Sequence, residues 1–97
     1  MGNLDKVFIK RYIKRNLQKI AYCYESELLA RPSLSGELTV QFLIAGNGSV
    51  QGSSAHGFDS KVSSCVAAVI KSIDFPKPTD GGSVQVNYPF NFRAPIK

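Results

Sequence analysis

The chain has few of the residues from which reactive sites are made: among its 97 residues there is one histidine and there are two cysteines. A lone histidine, His56, has no spaced partners and so lacks the ligand set of a zinc or other metal site. It reads as a solvated or hydrogen-bonded residue of the loop that precedes a second helix. The cysteines, Cys23 and Cys65, form no Cys-X-X-Cys, which argues against a redox or metal role. On number alone they fit a disulfide and a pair of buried free thiols equally well. Seven carboxylates are scattered with no pair the sequence brings together, and no Ser/His/Asp or Cys/His arrangement is suggested. No catalytic residue, metal ligand or cofactor is therefore expected. "AGNGS" lacks the lysine and Ser/Thr of a phosphate-binding loop and is accounted for as a hairpin turn. No apolar run approaches the ~20 residues that span a bilayer as a helix. Neither a signal-peptide pattern nor repeats nor low-complexity tracts are visible.

What is present describes an ordinary globular protein: 43% hydrophobic and 20% charged residues, with a net charge of +5. The length suits a single domain over 1–97, with no room for a second core. The opening Met-Gly-Asn reads as the start of a piece excised from a longer protein. The charge permits an acidic partner without requiring one.

From Leu4 to about Ala30 the period is helical, with Ile9, Ile13, Leu17, Ile20, Tyr24 and Leu28 on one arc. "RPSLSG" stops this helix through Pro32 and Gly36. "ELTVQFLIA" alternates as a strand, with Leu38, Val40, Phe42 and Ile44 on one face and Thr39 and Gln41 on the other. Asn47-Gly48 signals a hairpin. The return strand, around "SVQGSSA", is weaker in pattern. Asp59 or Ser60 is expected to cap a second helix whose stripe is Val62, Val66, Val69 and Ile73. "DFPKPTDGG" ends it. The order is α-β-β-α-β, which implies an α+β two-layer sandwich: two helices on one face of a three-stranded antiparallel sheet, strand order 2-1-3.

The last strand, "SVQVNYPFNF", carries an apolar residue at every second position, and Pro89 interrupts it in the middle. Val84, Val86, Tyr88, Phe90 and Phe92 should face the core, while Ser83, Gln85, Asn87, Pro89 and Asn91 face water. Pro89 confines this strand to a sheet edge or a bulge. A free edge invites another chain, and main-chain hydrogen bonds then supply affinity while alternate side chains supply specificity. Protection of an idle edge is the plainer meaning of the proline. The rival signal is the basic face of the first helix, Lys10, Arg11, Lys14, Arg15 and Lys19. It suits nucleic acid or an anionic membrane surface electrostatically, although a solvated face is the usual meaning of such a run. Tyr12, Tyr22 and Tyr24 form no regular stacking platform beside it, so nucleic acid is not expected.

Taken together, "YCYESEL" (Tyr22 to Leu28), "PSLSGELTVQF" (Pro32 to Phe42), "SSC" ending at Cys65, "FPKP" (Phe75 to Pro78) and "GGSVQVNYPFNF" resemble the C-terminal domain of TonB-type energy transducers. They are most similar to the AgmX/PglI-like subgroup of myxobacterial gliding-motility proteins. The resemblance spans roughly Leu4 to Phe92. It implies a non-catalytic periplasmic domain, tethered to an inner-membrane anchor and motor, that passes force or energy to an envelope or outer-membrane protein. That partner's extended segment adds to the last strand at Ser83, Gln85, Asn87, Pro89 and Asn91. Gliding motility is the implied process, with TonB-dependent transport across the outer membrane as the alternative; a homodimer through the same edge is the other occupant an open strand admits. The subgroup's two cysteines match Cys23 and Cys65, which implies a structural disulfide between the helices. Such a bridge closes a 42-residue loop and is worth about 4 kcal/mol in the chain-entropy model. Absent from the chain are the anchor, the proline-rich linker and the receptor-contacting stretch that precedes the first helix in classical transducers.

Overall fold

A computed structural model describes residues 4–79 and 81–94. The opening Met-Gly-Asn and Asp80 of the "DFPKPTDGG" stop lie outside the described residues. Among these described residues six elements follow one another: α1 (Lys6–Arg15), α2 (Leu17–Leu28), β1 (Gly36–Ile44), β2 (Val50–His56), α3 (Ser60–Lys71) and β3 (Val84–Phe92). The strands form an antiparallel sheet in the order β2-β1-β3, as the alternation and the hairpin signal imply.

The first helical segment is not continuous. Asn16 (φ −107°, ψ 11°) separates α1 from α2. Its side-chain Nδ2 donates to the Tyr12 carbonyl at 2.9 Å, while its backbone N–H turns to the Ile13 carbonyl at 2.9 Å. Asparagine competes in this way for the backbone groups of the preceding turn, and here it takes the acceptor that a continuous helix would use for its main chain. The break shifts the helical phase. Ile9, Ile13, Ile20 and Tyr24 are buried as expected, but Leu17 is 48% exposed rather than part of the stripe. Leu28 is half-buried.

Asp59 caps α3, accepting from the backbone N–H groups of Lys61 and Val62 at 3.0 and 3.1 Å. Val62, Val66 and Ile70 are fully buried, with Val69 half-buried beside them. Ile73 lies past the helix end, on the chain that leaves it, and is still buried. The hairpin closes through a Gly46-Asn47-Gly48 loop, in which Ala45 donates to the Ser49 carbonyl at 2.7 Å and accepts from Gly48 at 2.8 Å. Gly48 takes φ +90°, and a Cβ there would also strike the Phe75 carbonyl, so only glycine fits.

One core joins these elements. Leu38, Val40, Phe42 and Ile44 of β1 are at most 2% exposed and share a cluster with the buried residues of all three helices. Phe42 stacks on Phe75, their centroids 5.6 Å apart, and Tyr12 covers Phe75 from α1 at 5.9 Å. Cys23 and Cys65 are bonded (S–S 2.07 Å), joining α2 to α3.

Candidate interaction edge

β3 pairs with β1 over its whole length, Gly36 opposite Phe92 through to Ile44 opposite Val84, and has no strand on its other side among the described residues. Ser83 falls one residue before the strand; Gln85, Asn87, Pro89 and Asn91 lie within it, and all five are exposed.

The hydrogen-bonding side of each residue follows from the hairpin. Ala45 directs its N–H toward Ser49, on the β2 side. Successive residues of a strand aim their main-chain groups to opposite sides, so Thr39, Gln41 and Leu43 face β2 and the even-numbered residues of β1 face β3. Thr39 stands opposite Pro89, and this pair accordingly exchanges no bonds across the β1–β3 ladder. The missing N–H of Pro89 thus costs the sheet nothing. It falls on the open side, where Gln85, Asn87 and Asn91 present both N–H and C=O. The free edge offers donors at Gln85 and Asn87, a gap at Pro89, and a donor again at Asn91.

The two halves of β3 differ beneath this edge. Phe90 and Phe92 are buried, and Phe92 packs between Tyr24 and Phe58 at centroid distances of 4.9 and 5.8 Å. Val84, Val86 and Tyr88 are only half-buried. Along them runs a groove of about 450 Å³, bounded by Val84 to Pro89 on one side and by Leu4, Lys6, Ile9 and Lys10 on the other. The strand alternation places all five apolar residues on the inward face but cannot register that three of them, Val84, Val86 and Tyr88, stay partly accessible beside α1.

Around the other end of the molecule the contacts are polar and closed. Arg31 pairs with Glu27 at 2.8 Å and with Asp59 at 2.6 Å, tying the end of α2 to the cap of α3. The Arg31 guanidinium and the two backbone N–H groups lower the Asp59 pKa from its ordinary 3.8 to about 2. The Tyr24 hydroxyl donates to the Leu34 carbonyl, and burial pushes its pKa up. Sequence reading did not single out Arg31, Glu27 or this Tyr24–Leu34 bond; only the cap residue Asp59 carried a local signal.

His56 is the last residue of β2, paired with Thr39, rather than a loop residue, and it is exposed. No group of three or more His, Cys, Asp or Glu gathers where it could hold a metal ion among the described residues. No helix among them is long and apolar enough to cross a membrane. Compared with known proteins, the chain matches no family model, no curated protein and no solved structure.

Proposed function

We propose that this is a non-catalytic interaction domain that takes an extended segment of an envelope protein as a fourth strand along β3. The observation that carries the reading is the open edge itself: regular, with main-chain groups of Gln85, Asn87 and Asn91 directed outward, and flanked by a groove at Val84 to Pro89. An added strand gains affinity from the main chain and selectivity from alternate side chains. The Cys23–Cys65 disulfide is compatible with an oxidising compartment. Together with the resemblance to TonB-type domains, this supports a periplasmic site of action, with an inner-membrane motor reached through regions that precede the domain. Force would then pass through the sheet to the docked partner, in gliding motility or, alternatively, in transport across the outer membrane.

Photo-crosslinkers placed at Asn87 and Asn91 in the full-length parent protein test this in cells, with exposed Ser54 of β2 as the control. The expected outcome is capture of one envelope protein from both β3 positions and none from Ser54. Capture of the protein itself alone means that the edge pairs with a second copy. Absence of any capture means that Pro89 guards an idle edge. A peptide from the captured segment should bind in vitro and lose binding when its main chain is N-methylated.

A further inference from the structure

The outer face of α1 is not used by strand addition, and its composition is unlike that of any other element. Its ten residues, KVFIKRYIKR, carry five cations and no carboxylate. The whole chain has twelve Lys and Arg against seven Asp and Glu. The seven cations outside α1 therefore balance every carboxylate, and the net +5 of the protein resides in this one helix. Among the described residues none of the five forms an ion pair.

Like charges at i,i+4 repel, and α1 holds three such pairs: Lys6–Lys10, Lys10–Lys14 and Arg11–Arg15. A face that needed only solubility would interleave carboxylates. Instead apolar side chains are interleaved: Val7 and Phe8 are 57% and 42% exposed on the face that carries Lys10, Arg11, Lys14 and Arg15. Arg11 lies over the Phe8 ring at 5.7 Å. Val7 lines a shallow depression together with Lys10, Arg11, Lys14 and Arg15.

We infer that α1 lays this face on an anionic phospholipid surface, its cations among the headgroups and Val7 and Phe8 entering the interface. The surface of a helix is convex. It meets a planar array of phosphates along its whole length of ~15 Å, whereas it cannot enclose a peptide. Exposed aliphatic and aromatic side chains inside the cationic face favour a bilayer interface over nucleic acid, whose backbone would call on the charges alone. Lys10 also borders the β3 groove, so a domain attached in this way holds its open edge beside the membrane.

The test is co-sedimentation of the oxidised 97-residue chain with vesicles of phosphatidylglycerol and phosphatidylcholine, compared with pure phosphatidylcholine. Binding should require phosphatidylglycerol and weaken as salt rises. The pair Lys14→Gln and Arg15→Gln should bind about 30-fold more weakly, each cation near an anionic surface contributing a similar increment. Val7→Ser should weaken binding at low salt as well. Lys14 and Arg15 do not line the β3 groove, so peptide addition to β3 should be unchanged in the pair variant, which separates this inference from strand addition. Circular dichroism confirms that each exposed-site variant is folded. The inference is overturned if the chain ignores phosphatidylglycerol vesicles at low salt, if the pair variant binds them as well as the parent, or if duplex DNA displaces it from vesicles at ~0.15 M salt.

Discussion

The two ends of this molecule are built differently. Where α2 meets α3, one covalent bond, one arginine bridging two carboxylates and a cluster of three rings hold the helices and the end of β3 together: Cys23–Cys65, Arg31 with Glu27 and Asp59, and Tyr24, Phe92 and Phe58. Where α1 meets the start of β3 there is no ion pair among the described residues, and a groove separates the helix from Val84, Val86 and Tyr88. The difference teaches how a domain of this size can keep an open edge. The tightest contacts lie away from the open edge of β3, so the edge itself can remain uncovered.

The sharpest way to break this contrast is to remove the staple. Cys23→Ser with Cys65→Ser should lower unfolding stability by about 4 kcal/mol, measured by urea denaturation, because the 42-residue loop regains its freedom in the unfolded chain. Next come two truncations within β3. Phe92→Ala should cost about 3 kcal/mol, whereas Val86→Ala, half-exposed in the groove, should cost about 1. Equal losses would show that the two halves of β3 are packed alike. Tyr24→Phe removes only the hydroxyl that donates to Leu34 and should cost about 1 kcal/mol, with core packing intact.

Asp59→Asn should give the smallest loss, a few degrees in Tm at neutral pH, because the amide oxygen can still cap α3 while the charge facing Arg31 is gone. The sign with pH is definite. A carboxyl held at about 2 in the folded chain, against an ordinary 3.8, adds stability above about pH 4 and loses that contribution as pH falls toward 2. The Asp59→Asn variant should lack this part of the acid limb, visible as a flatter Tm between pH 4 and 2. Native-state hydrogen exchange sharpens the comparison without any substitution: α1 amides should exchange faster than those of α2 and α3.

Much of the fold was legible in one dimension because its signals are local. Alternation placed β1 and β3, turn chemistry placed the hairpin, and Asp59 marked the start of α3. Where the reading went astray, a local competitor or a distant contact intervened. Asn16 diverted the Tyr12 carbonyl and split the first helix, turning Leu17 from an expected core residue into an exposed one. Ile70 entered the core in place of full burial at Val69, which is only half-buried. At the candidate edge, Gln85, Asn87, Pro89 and Asn91 lie within β3 and Ser83 one residue before it, and each is exposed.

By itself, the sequence determined the succession of helical and strand segments, the inward and outward faces of the first and last strands, and the confinement of Pro89 to an edge or a bulge, since these follow from backbone periodicity and from proline's missing N–H. It also set the charge of α1. Only the tertiary structure decided which side of β3 the proline faces, that α1 stands off from Val84, Val86 and Tyr88, and that Arg31 reaches Asp59 across 28 residues. Those depend on strand register and helix placement, which arise when distant segments close on a common core and which no short window of residues encodes.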